Sequence, residues 1–266
     1  PSRPATRVPS PVQSPEAPSI SLVSSVFNRD WQLRQTLPDN LATIRGEDDV
    51  DLVLVDFGGA DSAAIRAFLE EEFALDLISG KLKYHVARVP WTRFHMATAK
   101  NVAHRLSTGR FVFSLDADNR FLPADLADIR EHLRTHPHQV LHQTTGSAPM
   151  RHEMWQKYEL FSDAGAYHQH DLTWDGSCGR IGVPREAFER VNGYNENFVG
   201  MGMDDIDFLI RCIRAGSGYR HVSLTRPAGE VYIDNGSASA SHQHENNQEN
   251  WRRMDAALGA GQLIPI

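Results

Sequence analysis

The stretch RFVFSLDADN, residues 110–119, decides the fold. Arg110–Leu115 is an apolar run of strand length that breaks at once into Asp116-Ala117-Asp118-Asn119. A near-continuous apolar strand is one covered on both faces, as in a parallel sheet with helices above and below. Working back, Phe94–Leu106 reads as a helix and Tyr84–Val89 as a strand, while Asp61-Ser62 opens a helix carrying Ile65, Phe68 and Leu69. Asp51–Asp56 (DLVLVD) is a buried strand ended by Gly58-Gly59. Before it, Asp30 can cap a helix with Leu33, Leu37 and Leu41 on one face, and Pro38 is expected to kink or divide that helix. Ser19–Phe27 (SISLVSSVF) is the first strand. Such β-α-β-α-β-α-β alternation predicts an α/β fold: a mainly parallel sheet with helices on both faces.

Past Asn119 the pattern is less regular. Helices are expected at Pro123–Leu133, Arg185–Val191, Asp204–Ile213 and Trp251–Leu258, and strands at Val140–Gln143 and Cys178–Val183. Residues 146–176, with Trp155, Tyr158, Tyr167, His168, His170 and Trp174, fit neither period and read as an acceptor pocket or lid. Residues 1–18 are proline-rich, poor in bulky apolar groups and expected to be disordered; the folded domain is expected over 19–266. A net charge of -7 over 266 residues argues against a general nucleic-acid binder. Two cysteines, Cys178 and Cys212, make no disulfide framework and read as buried apolar fillers. With no visible signal peptide and no apolar run near the ~20 residues of a membrane span, a cytoplasmic location is expected.

Polar groups gather at three strand ends: Asn28-Arg29, Asp56 and Asp116/Asp118. In open α/β sheets, ligands bind at the carboxyl ends of the strands. Two carboxylates one residue apart suit Mg2+ or Mn2+, which one or two carboxylates hold together with substrate phosphates. Gly200-Met201-Gly202 leads into Asp204-Asp205-Ile206-Asp207, where the acids either charge a helix N-terminus or include a general base. Within Ser241-His242-Gln243-His244-Glu245, an imidazole is a candidate for the metal shell. Asp56 either meets a nucleobase or closes a strand, and Trp174 is either an acceptor platform or a packing group.

These motifs, in this order, resemble a GT-A (Rossmann-like) glycosyltransferase of the inverting family 2 type. The second half is similar to its galactosyltransferase and chondroitin-polymerase branch. Val26-Phe27-Asn28-Arg29 resembles the first-strand nucleotide-contact segment, and Val55-Asp56-Phe57-Gly58-Gly59-Ala60-Asp61-Ser62 the turn whose first Asp meets the base. Phe94-His95-Met96-Ala97 through Lys100-Asn101-Val102 resembles the helix before the metal-site strand, and Asp116-Ala117-Asp118 the DxD motif itself. Cys178 through Glu196 and Gly200 through Asp207 are similar to the acceptor-side segments. Met201, Asp204, Met96 and Asn195 depart from the usual Trp, Glu, Arg and Asp.

The resemblance implies a single α/β domain with a mixed, mainly parallel sheet flanked by helices, and a metal-dependent hexosyltransferase that inverts the anomeric carbon. Residues 19–120 would be the nucleotide-binding half and 121–266 the acceptor half. It implies donor contacts from Phe27, Arg29, Asp56, Asn101, Asp116 and Ala117. Mn2+ or Mg2+ would be held by Asp118 and His242, with Asp116 and His244 as alternatives. Asp205 would be the base, with Asp204 and Trp174 on the acceptor. The expected partners are a nucleotide-sugar, foremost a UDP-sugar, and an acceptor glycan, peptide or small molecule. Two other readings are a sugar-nucleotide-handling nucleotidyltransferase and a non-catalytic nucleotide-sugar-binding protein.

Overall fold

The computed structural model describes residues 19–89, 94–145, 179–200, 202–224, 228–233 and 247–262. Its frame is one seven-stranded sheet. In chain order the strands are β1 (Ile20–Val26), β2 (Val50–Asp56), β3 (Leu82–Val86), β4 (Phe111–Ser114), β5 (Gln139–Thr145), β6 (Ile181–Pro184) and β7 (Gly218–Leu224). The described helices are α1 (Asp30–Ile44), α2 (Ser62–Glu72), α3 (Ala74–Ser79), α4 (Met96–Leu106), α5 (Pro123–Thr135), α6 (Arg185–Arg190), α7 (Asp204–Arg214), α8 (Ala228–Val231) and α9 (Asn247–Gly259).

The strands lie in the order β3-β2-β1-β4-β6-β5-β7. β1, β2, β3 and β4 run parallel, β6 runs antiparallel to β4 and β5, and β7 is parallel to β5. The expected mixed, mainly parallel sheet is therefore present. The chain builds outward from β1 through β2 to β3, then returns to place β4 on the other side of β1. Where the order reverses, the two neighbouring connections leave on opposite faces and open a crevice at the strand ends.

Alternation along each strand divides the core in two. Val23, Val53, Val55 and Val112 pack with Phe188, Tyr194, Phe208 and Leu209 on one face. Ile20, Leu22, Leu52, Leu54, Phe111 and Phe113 pack with Leu33, Leu37, Ile65 and Ile129 on the other. Successive strand residues point to opposite faces, so a doubly covered strand needs apolar groups at both parities. That is why the runs around β1, β2 and β4 carry no polar alternation.

Several expectations are corrected. Pro38 neither kinks α1 into two elements nor divides it: the helix runs unbroken over Asp30–Ile44. Pro38 lies on the exposed face, where water can take up the carbonyl it leaves without an N–H. Asp30 is not the cap. It is the first helical residue, its N–H donates to Asp61 Oδ2 at 2.6 Å, and its carboxylate binds Arg34. The third strand is Leu82–Val86 rather than Tyr84–Val89, because parallel pairing with β2 sets Leu52 against Leu82. β7 and α3 are elements that the periodicity missed. β7 lies at the sheet edge, and its Gly218-Tyr219-Arg220-His221 half lacks an apolar run.

A buried ion pair ties the antiparallel part to α5. Arg180 and Asp125 are both fully buried, with Nη2 and Oδ1 3.1 Å apart. Arg180 also donates to the Arg120 carbonyl at 2.9 Å and to Gln143 at 3.2 Å. Replacing Arg180 by Met strands the Asp125 charge. Removing one partner of such a pair costs about 3–5 kcal/mol, and a urea titration of Arg180→Met is expected to show a loss of that size. A midpoint equal to wild type would contradict it.

Candidate active site

The crevice is walled by the turn after β4 on one side and the first turn of α7 on the other. The β4 turn is tightly held. Asn119 N–H closes it onto the Asp116 carbonyl at 2.9 Å. From α1, Thr36 donates to the Ala117 carbonyl at 2.7 Å, and Asn40 Nδ2 donates to the Asn119 carbonyl at 3.1 Å. From the far side, Ile233 N–H donates to the Asp118 carbonyl at 3.0 Å. Asp116 and Asp118 stay half-buried, and Asp118 Oδ1 accepts from Asn119 Nδ2 at 2.7 Å.

The opposite wall depends on left-handed backbone. Gly200, Gly202 and Met203 have φ of 71°, 103° and 67°. Such angles cost glycine little but strain Met203. The loop is fastened by Met96 N–H to the Gly200 carbonyl at 3.1 Å and by buried Asn250 of α9, which bonds both groups of Val199 and the Gly202 carbonyl. This geometry delivers three acids, and the helix phase separates them. Asp207 turns inward to Arg211 at 2.7 Å, which in turn donates to the Val191 and Gly193 carbonyls. Asp204 is buried, with Oδ1 taking the Gly202 N–H at 3.1 Å and Oδ2 facing Lys100 Nζ at 3.2 Å. Asp205 keeps 15% of its side chain accessible, and its Oδ1 accepts a short hydrogen bond from Lys100 Nζ.

Lys100 is the residue that sequence reasoning quoted but did not use. It projects from α4 with only 6% of its side chain accessible. Its one available signal is its place among the inward residues of a helix, with Ala97, Ala103 and His104. Burial works to lower its pKa, but Asp204, Asp205 and Asp116 overcome that and hold the ammonium well above the ordinary lysine value. Asp205 shows the reciprocal balance. Burial raises its carboxyl, Lys100 opposes, Asp204 and Asp116 add to the rise, and the result is about 7.

The donor-side residues are placed as follows. Phe27 lies just past β1, stacked on Phe94 with centroids 5.9 Å apart. Arg29 is the N-cap of α1. Asp56 ends β2 fully buried, and its carboxylate accepts from Gly58 N–H at 2.9 Å, from Tyr84 at 2.8 Å and from Ser62. Asn101 is also buried, bonding both backbone groups of Tyr194 and the Glu196 carboxylate. Ala117 faces the core while its carbonyl meets Thr36. Cys212 is a buried filler whose thiol burial pushes up to about 12. Trp174, Cys178, His242 and His244 lie outside the described residues.

Asp116 and Asp118 supply the hard oxygen donors that Mg2+ or Mn2+ takes. Among the described residues no group of three His, Cys, Asp or Glu could hold a metal ion. A shell on this turn would thus draw on diphosphate oxygens and on other parts of the chain, as such ions commonly do.

A family model described as "Glycosyl transferase family 2" matches residues 21–191. The chain belongs to glycosyl transferase family 2. The reaction class of that family is the transfer of a sugar unit, and the sheet has the GT-A arrangement. A second model, "N-terminal domain of galactosyltransferase", matches residues 165–232. No curated protein matches this family 2 chain. Among solved structures, it is similar to S. aureus TarS 1–349 at 14% identity and a TM-score of 0.56, over 77% of this chain and 58% of that one. It is also similar to the mannosyltransferase PcManGT from Pyrobaculum calidifontis, solved in complex with GDP-Man and Mn2+, at 18% identity and a TM-score of 0.56, over 78% of this chain and 55% of that one. At these identities the likeness is one of fold, and the family 2 chain spans little more than half of either structure. Among its described residues no helix is long and apolar enough to cross a membrane.

Proposed function

We propose that this family 2 chain transfers a sugar from a UDP-sugar to an acceptor hydroxyl with inversion, and that Asp205 is the general base. The observation that carries this reading is the bridge through Lys100. That side chain binds Asp204 and Asp205 on the α7 wall and feels the charge of Asp116 on the β4 wall. The acids at the start of α7 and the β4 turn therefore both lie within reach of one lysine. TarS solved in complex with UDP and with UDP-GlcNAc supports the choice of donor nucleotide.

In this reading the acceptor hydroxyl gives its proton to the Asp205 carboxylate as its oxygen bonds to the anomeric carbon. The bond from that carbon to the diphosphate breaks on the opposite face, and the diphosphate leaves with the electron pair. Phe27 and Arg29 border the nucleoside, while Asp56 and Asn101 hold the surrounding turns. Asp204 anchors the glycine loop beside the acceptor, and Trp174 is assigned to the acceptor pocket. Asp118 with His242 or His244, and Asp116 beside them, would hold Mn2+ or Mg2+. A bound divalent ion supplies charge stabilisation to a leaving diphosphate.

Thermal melting with a panel of nucleotide-sugars and Mn2+ tests the donor. A ligand at 100 times its Kd stabilises by about 2.7 kcal/mol, roughly 5–10 °C for a chain of this size. That rise is expected with a UDP-sugar. A rise with GDP- or ADP-sugars alone would reject the assignment.

A further inference from the structure

Asp204 and Asp205 are adjacent in sequence and chemically identical, yet only one is proposed to act on the acceptor. The difference between them lies in a third residue from another helix. Lys100 Nζ meets Asp204 Oδ2 at 3.2 Å and Asp205 Oδ1 more closely still. Asp204 has its other oxygen on Gly202 N–H and is 4% exposed, so both of its oxygens are engaged. Asp205 is held through Oδ1 only, and among the described residues its Oδ2 accepts no hydrogen bond. The lysine is itself fixed. Its ammonium stands 5.3 Å from the ring centroid of buried Tyr194, and the next residue, Asn101, is bonded to both backbone groups of Tyr194.

We propose that Lys100 is the positioning residue for the base: it locks Asp204 as an anchor and holds Asp205 by one oxygen, leaving the other for the acceptor hydroxyl. The proposal rests on the reading of Asp205 as base. A side chain clamped at one oxygen keeps a fixed carboxylate plane without desolvating the second oxygen. Loss of such a clamp leaves the base present but misplaced, and a misplacement of about 1 Å can cost 10²-fold in rate. A purely structural ion bridge would instead change the melting temperature and leave the turnover of folded enzyme alone.

The test compares Lys100→Met, Lys100→Arg, the double variant Lys100→Met/Asp204→Asn, and Asp205→Asn, each assayed per folded molecule. Lys100→Met is expected to lower kcat by roughly 10²-fold with donor KM within about threefold. Lys100→Arg, which keeps a cation that can reach the carboxylates, is expected to restore part of the loss. Lys100→Met leaves two carboxylates without their counter-ion. The double variant removes one of those charges, so it keeps the question answerable if the single variant does not fold; its kcat is expected to stay low. Wild-type kcat in either Met-bearing variant, or a loss carried wholly by KM, overturns the proposal. If Asp205→Asn loses kcat while Lys100→Met does not, only the role of Lys100 falls. If Asp205→Asn itself keeps wild-type kcat, the assignment of the base falls, and this inference with it.

Discussion

Asp205→Asn is expected to reduce sugar transfer by about 10²–10⁴-fold, the share that a positioned general base contributes, while donor binding survives. The substitution keeps shape and removes the proton acceptor. It also leaves Lys100 its contact with Asp204, so the α7 wall retains one of its two ion pairs. The substitution leaves unchanged every residue of β1, β2 and the β4 turn proposed to meet the donor. UDP-sugar melting shifts should therefore match wild type, and that separates a chemical defect from a folding defect. The pH profile supplies a second readout of the same group. A base works only when ionised, and burial with Asp204 and Asp116 nearby lifts the Asp205 carboxyl to about 7 against the pull of Lys100. The value of kcat/KM should thus climb as pH rises through about 7 and level off above it. An ordinary exposed aspartate would give that limb near pH 4. Near-wild-type transfer by Asp205→Asn, or an acid limb below pH 5, would remove Asp205 from the role.

The second large effect concerns the β4 turn. EDTA treatment and Asp118→Asn are each expected to depress transfer by roughly 10²–10³-fold. A divalent ion supplies several kcal/mol of charge stabilisation to a leaving diphosphate, and each 1.36 kcal/mol is tenfold in rate. The turn itself should persist in Asp118→Asn, because the backbone holds it: Ile233 N–H reaches the Asp118 carbonyl, and Thr36 and Asn40 reach those of Ala117 and Asn119. Addition of Mn2+ should restore the chelated wild type fully and the variant only at higher concentration. Undiminished transfer by the thoroughly chelated enzyme would end the metal assignment. Loss in Asp118→Asn together with loss of melting cooperativity would mark a structural defect instead.

The two variants probe parts of the site that differ in how legible they were. Asp116 and Asp118 stand out in the sequence because a doubly covered strand must be apolar at both parities, so a carboxylate after RFVFSL marks its exit into solvent. The same physics exposed DLVLVD and SISLVSSVF, and with them the parallel half of the sheet. β7 stayed hidden because Gly218-Tyr219-Arg220-His221 is half-buried at both parities, and its polar residues match no single period. Asp30 was misread for another reason. A helix N-terminus can be capped from a distant segment, and Asp61 does so across 31 positions.

What the sequence determined alone is the order of buried strands, the strand-end acids and the acidic first turn of α7, since each follows from local burial and chain period. Only the tertiary structure decided which acid is available. The turn of the helix sends Asp207 to Arg211, the glycine loop and Lys100 occupy Asp204, and Asp205 retains an oxygen. It also brought Ser62 and Tyr84 onto the Asp56 carboxylate. The lysine that separates the two acids lies more than a hundred positions before them. No local pattern encodes that distance: the contact exists because α4, through Ala97, Ala99 and Ala103, and α7, through Phe208 and Leu209, pack on the same face of the sheet.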